Sequence, residues 1–257
     1  MSRPRVLVIV PAHDEQASLR GTLEQVRALP ACAPARAGAT PGRPAVAGGR
    51  AYRIDLLVVD DGSRDQTARV AREAGVPVLR HAVNLGVGGA LQTGFRYAVA
   101  NDYEVGVQLD ADGQHDPAFL AALLEPVLRG ECDVSIGSRF VTPSGYHAPL
   151  ARRSAMMLFA GIVRLALGQR ITDTTSGFRA YGRRAMEHCQ FDFPRDFPDA
   201  PLLIALARRG FRLREVPVEM RERQAGRSFY TLGRSLYYPY KNLLASLMAW
   251  LQRPAAP

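Results

Sequence analysis

Residues 105–117, VGVQLDADGQHDP, run an apolar strand straight into two carboxylates spaced i, i+2, Asp110 and Asp112. A glycine, an amide and an imidazole follow, and then Pro117, which can open a helix. This order carries acid groups to the carboxyl end of a strand, the edge at which open α/β sheets bind their ligands. Two hard oxygen donors with the Gln114 amide beside them suit Mg²⁺ or Mn²⁺ carrying the phosphates of a nucleotide. The chain must therefore fold so that this strand end is a rim and not an interior.

The rest of the sequence repeats the arrangement. Residues 6–10, VLVIV, read as a buried parallel strand that delivers Pro11, Ala12, His13, Asp14 and Glu15 to the same rim. Leu19, Leu23, Val26 and Leu29 then recur at helical spacing until Pro30 stops them. Residues 54–59 form a second strand, ending at Val59 in Asp60-Asp61-Gly62-Ser63, with Ser63 or Asp65 able to cap the helix that follows. A short strand over 76–79 and a helix from the glycine-rich stretch 86–89 to about Ala100 come next. Those glycines fit a tight turn as well as they fit phosphate contact. Asp116 and Pro117 open a further helix, and the strand 133–137 ends in Ser138-Arg139. Four strands finishing in polar residues, with helices between the early ones, predict a mostly parallel, doubly wound α/β sheet.

Residues 30–50 are rich in Ala, Pro and Gly without apolar period, and we expect a flexible insertion there. The turn 173–179, DTTSGFR, is too dense in polar groups to be packing alone, and a helix over 202–207 precedes a strand within 211–220. We expect one catalytic domain over 1–234 and, over 235–257, an amphipathic helix that lies on a membrane interface or packs. Its Tyr237, Tyr238, Tyr240 and Trp250 suit the headgroup boundary, and neither it nor the apolar helix 154–167 is long enough to span a bilayer.

Charge is divided unevenly. Residues 1–145 hold 15 of the 33 Lys+Arg and 16 of the 24 Asp+Glu, leaving 18 against 8 in 146–257. The second part should face something anionic. Cys32, Cys132 and Cys189 are too scattered for a disulfide framework or a thiolate zinc site, and the N-terminus lacks a signal peptide's apolar run. The expected setting is cytoplasmic.

Six motifs in order, residues 11–15 (PAHDE), 60–63 (DDGS), 110–115 (DADGQH), 137–139 (GSR), 176–179 (SGFR) and 223–228 (RQAGRS), resemble the series of the family 2 glycosyltransferases of GT-A fold. The resemblance spans 6–230 and is strongest to the dolichol and polyprenyl-phosphate mannose synthase branch. It implies that Pro11, Ala12, His13, Glu15, Val59, Asp60 or Asp61, Asp110 and Ala111 line a nucleotide-sugar pocket, closed by Arg223 and Ser228. It implies Asp110, Asp112 and Gln114 as metal ligands, and Arg139, Arg153, Ser176 and Arg179 as partners of an acceptor phosphate. Asp112, Arg139, Asp173 and Arg179 would carry catalysis. His13 stands where the family often has Tyr, and Phe229 where many members place Lys after the Ser.

The function implied is transfer of a sugar from a nucleotide-diphosphate sugar to a polyprenyl phosphate, by a protein peripheral to the inner membrane face. A soluble, saccharide or protein acceptor is the alternative. A sugar nucleotidyltransferase would want a basic glycine-rich loop after strand one, where this chain is acidic. A nucleic-acid-binding module would want basic and aromatic residues on one face without an acidic rim, so we expect no nucleic acid. Pairing of the two apolar helices with another subunit leaves a homo-oligomer open.

Overall fold

The computed structural model describes residues 3–31, 45–47, 50–141, 171–194, 199–221 and 244–251. Their elements are β1 (Arg5–Ala12), α1 (Leu19–Arg27), β2 (Ala45–Ala47), β3 (Arg50–Asp60), α2 (Thr67–Glu73), β4 (Val78–Arg80), α3 (Gly86–Ala100), β5 (Val105–Gln108), α4 (Leu120–Leu128), β6 (Val134–Ser138), β7 (Arg179–Gly182), α5 (Arg183–Cys189), α6 (Ala200–Arg208) and β8 (Leu213–Pro217). A single 3₁₀ turn, Pro117–Phe119, leads into α4, with the Asp116 carboxylate accepting from the Ala118 N–H as the sequence predicts.

The eight strands make one sheet in the order β2-β3-β1-β5-β7-β6-β8, with β4 also pairing β3. β1, β3, β4 and β5 run parallel to one another, and β8 runs parallel to β6. β7 is inserted antiparallel between β5 and β6. The reversal matters for the site, because it brings the beginning of β7 to the edge where β1, β3, β5, β6 and β8 end. Gln108, the last residue of β5, lies opposite Arg179, the first of β7.

Alternation along the strands divides the core. Val6, Val8, Val10, Val105 and Val107 pack under α1, α2 and α4, while Leu7, Ile9, Leu57, Val59, Ile136 and Tyr181 pack under α3, α5 and α6. Helices on both faces are what bury continuous β-branched strands on both sides.

One reading needs correction, and one choice between two residues is resolved. The expected insertion 30–50 is structured at its end: β2 pairs antiparallel with the start of β3, Ala45 opposite Tyr52 and Ala47 opposite Arg50. Low β propensity in this stretch is overridden by the open edge of β3 beside it. Ser63 does not cap α2. Asp65 Oδ1 instead accepts from the Thr67 N–H, and Ser63 Oγ accepts from the Asp14 N–H across the rim.

Candidate active site

Two loops leave the rim beside each other, after β1 and after β3, and they are stitched together. Asp14 donates its N–H to Ser63 Oγ (3.0 Å) and accepts from the Arg64 N–H (2.8 Å). Glu15 donates its N–H to Thr67 Oγ1 (2.9 Å), Gln16 its N–H to Asp65 Oδ2 (3.1 Å), and Gln66 its N–H to Gln16 Oε1 (3.0 Å). Asp14 takes φ +55 to do so, a backbone region costly for a residue with a β-carbon and tolerated best by Asp and Asn. Asp65 is held below the usual carboxylate range: burial pushes it up, and hydrogen bonds from Thr67 and Gln16 outweigh that.

The two acids closing β3 have separate fates. Asp61 Oδ1 lies 2.7 Å from His81 Nδ1 and accepts from the Leu85 N–H, while Oδ2 accepts from the Gly86 N–H (2.8 Å). It is a buried cap on the first turn of α3, and His81 reaches on to Thr93 Oγ1 (2.9 Å). Gly86 sits at φ +83, and its amide is taken by Asp61 and Asn84, so the tight-turn reading of these glycines accounts for it. Asp60 is fully buried, with Oδ1 accepting from the Ser63 N–H. Arg80 Nε lies 3.0 Å from its Oδ2, ion-paired but off the line a hydrogen bond needs. His13 donates from Nδ1 to the Asp61 carbonyl (2.9 Å), bridging the two strand ends, while Pro11 is half-buried and Ala12 and Val59 are buried.

Past the end of β5 the two acids differ, and only Asp110 reaches the solvent rim. The Asp110 side chain is 36% exposed, whereas Ala111 and Asp112 are buried, with Asp112 Oδ1 accepting from the Gln114 N–H (3.0 Å). Thr22 Oγ1 of α1 donates to the Ala111 carbonyl (3.1 Å) and fixes the turn from behind. His115 is buried, accepts the Asp110 N–H at Nδ1 (3.1 Å) and stacks on Phe178 with ring centroids 5.0 Å apart. Beyond β8, Met220 pairs with His115 and the Arg221 N–H donates to the Gln114 carbonyl. The basic stretch that starts at Arg221 thus begins beside the acidic turn.

On the other side of the rim, Arg139 forms a two-pronged pair with Asp173, Nε to Oδ2 and NH2 to Oδ1, both 2.8 Å, and NH2 also meets Thr175 Oγ1 (2.9 Å). The Asp173 side chain is fully buried. Glu215 of β8 locks the same turn, accepting from the Thr172 N–H (2.9 Å) and the Asp173 N–H (2.7 Å). Ser176 is buried, its Oγ accepting from the Phe178 N–H (3.2 Å). Against the expectation that it meets an acceptor phosphate, Arg179 is 1% exposed and donates to the Thr174 carbonyl (2.9 Å), so it supports the turn from beneath. On the same face Tyr181 is buried, and burial pushes its phenol up to about 12.

These placements join Asp14, Glu15, Asp60, Asp110, Asp112, Arg139, Asp173 and Arg179 at one sheet edge. Arg153, Arg223 and Ser228, and the helix 154–167, lie outside the described residues. The sequence gives no signal for His81 or Glu215, whose partners come from distant elements.

Residues 7–189 match the model of glycosyl transferase family 2, most of the chain. The chain is a family 2 glycosyltransferase. An undecaprenyl-phosphate mannosyltransferase of Micrococcus luteus is 34% identical over 87% of this glycosyltransferase and 86% of its own length. A polyprenol monophosphomannose synthase of Mycolicibacterium smegmatis is 35% identical over 68% and 69%. Among solved structures, glucosyl-3-phosphoglycerate synthase from Mycobacterium tuberculosis, in complex with Mn²⁺, UDP-glucose and phosphoglyceric acid, superposes with a TM-score of 0.65. At 20% identity over 96% of this chain and 80% of that one, it establishes the GT-A fold for this glycosyltransferase.

Proposed function

We propose that this glycosyltransferase moves a sugar from a nucleotide-diphosphate sugar to a polyprenyl phosphate at a membrane face. The observation that carries the reading is the division of one rim by the turn 173–178, whose Gly177 lies against the Asp110 carboxylate while its Asp173 holds Arg139. The acid side suits a cation with a diphosphate, and the arginine side suits an anionic acceptor.

The acid pair fits a divalent ion. Among the described residues no group of three or more His, Cys, Asp or Glu gathers. Mg²⁺ and Mn²⁺ are commonly held by one or two carboxylates, with phosphate oxygens and water completing the shell. Asp110 and Asp112 with Gln114 would hold the ion, and its chemistry there is to neutralise charge developing on the departing diphosphate. Glu15, His13, Asp60 and the Val59 and Ala111 backbone are assigned to the nucleotide, with Asp61 shaping that wall from behind and Arg223 and Ser228 closing it. Arg139 and Arg153 orient the acceptor phosphate, Asp173 holds Arg139 in plane, and Ser176 and Arg179 brace the turn. A phosphate acceptor is already anionic and needs no strong base. In keeping with this, His13, His81 and His115 are each engaged with main chain, Asp61 or Phe178.

The names of the two relatives support the lipid acceptor, and the Mn²⁺ of the structural neighbour supports the metal. Incubating the protein with labelled UDP- and GDP-sugars, undecaprenyl phosphate and Mn²⁺ tests the proposal. Label should enter the organic phase for one donor; label confined to water-soluble product would assign a soluble acceptor instead.

A further inference from the structure

The acceptor-side turn and the acidic loop meet at a single carboxylate. Gly177 presses its main chain against Asp110: a β-carbon there would stand 2.7 and 3.2 Å from the two carboxylate oxygens and 3.0 Å from Gln108 Nε2. From the other direction His115 receives the Asp110 N–H at Nδ1. An acceptor at Nδ1 leaves the proton of the neutral ring on Nε2, which lies 3.7 Å from Asp110 Oδ2, beyond a hydrogen bond but near that oxygen. The ring is itself fixed, stacked on Phe178 and with its main chain bridged to Met220.

We propose that His115 and Gly177 are positioning residues that fix the Asp110 main chain and carboxylate in the metal-binding posture, so that the acceptor-side turn sets the donor-side metal site. The inference rests on the reading of Asp110 as a metal-bearing group. A half-exposed aspartate at a strand end would otherwise sample several rotamers, and holding one is what outer partners of metal carboxylates contribute. The competing role for a buried histidine is packing alone. The contacts separate the two: packing needs only a flat ring on Phe178, whereas positioning needs an acceptor at Nδ1.

Substitution can split those demands. His115→Phe keeps a ring to stack and removes the acceptor; His115→Asn removes the ring and keeps an acceptor near the Nδ1 position. Mn²⁺ binding, read by the electron paramagnetic resonance of free Mn²⁺ in the presence of UDP or GDP, needs no turnover. We expect His115→Phe and Gly177→Ala to weaken Mn²⁺ binding by about 10-fold or more, and His115→Asn to stay within about threefold of the parent. Wild-type affinity in folded His115→Phe overturns the inference while leaving the metal site standing. If the parent binds no Mn²⁺ and Asp112→Asn changes nothing, the metal reading fails and the inference with it. Should Gly177→Ala not fold, the two His115 variants decide alone.

Discussion

Asp61 and Asp112 look alike in sequence, each the second acid after a buried strand, yet the structure gives them different surroundings. Asp61 spends both oxygens on His81 and the first amides of α3. Asp61→Ala should therefore leave the Leu85 amide without its partner and take one of two partners from the Gly86 amide and from His81, costing about 1–3 kcal/mol, seen as a lower urea midpoint with an unchanged slope. Asp112 sits in a loop beside the rim, where its change to Asn preserves shape and removes charge. We expect Asp112→Asn to lower transfer about 100-fold or more, with Tm within a few degrees of the parent, measured in EDTA-treated protein restored with Mn²⁺. Full activity would remove Asp112 from the metal site. The sequence separates the two acids only by the Asp110 and Gln114 that flank Asp112; the partners of Asp61 are set by where β4 and α3 return.

At the scale of elements, strand ends were legible because β-branched runs before acids admit few alternatives, and the cap at Asp116 was legible because its partner is two residues away. β7 was not: its place between β5 and β6 depends on pairing residues far apart, and only that placement carries Arg179 to the rim. β2 is not legible either, because an edge, not its own propensity, recruits it. Removing 33–43 should accordingly change Tm little, since loop length alone costs weakly, whereas a deletion of 32–48 that takes β2 should lower it further in thermal scans. The stitched loops after β1 and β3 make a pH prediction. The folded-state pKa of Asp65 lies below its unfolded value near 3.9, so its stabilisation is present above that pH and lost as pH falls through the folded value. The stability difference between parent and Asp65→Asn should be constant from pH 7 to 5 and shrink toward pH 3 in urea titrations; a difference unchanged at pH 3 would contradict the assignment.

For the whole molecule, the basic second part and the helix 244–251 bear on what surface the protein meets. Residues 244–251 are helical, with Ser246 buried and Ala249 packed against the core on the α3, α5 and α6 side. Leu244, Leu247, Met248 and Leu251 lie on the exposed face at helical spacing, and Trp250 is 45% exposed. The helix thus both packs and presents an apolar strip, and among the described residues no helix is long and apolar enough to cross a membrane. The stretch 236–251 would span about 24 Å as a helix, short of the roughly 30 Å hydrocarbon core, so a place along the surface suits it. Residues 146–257 hold 18 Lys+Arg against 8 Asp+Glu, which adds attraction to anionic headgroups. Truncation after Arg234 should abolish cosedimentation with anionic liposomes and slow transfer to long polyprenyl phosphates, while UDP or GDP binding persists because the rim is built upstream. Raising salt should weaken binding of the intact chain without eliminating it, as burial of the apolar strip is not screened. Equal cosedimentation of truncated and intact protein would leave this helix a packing element and place the membrane contact elsewhere.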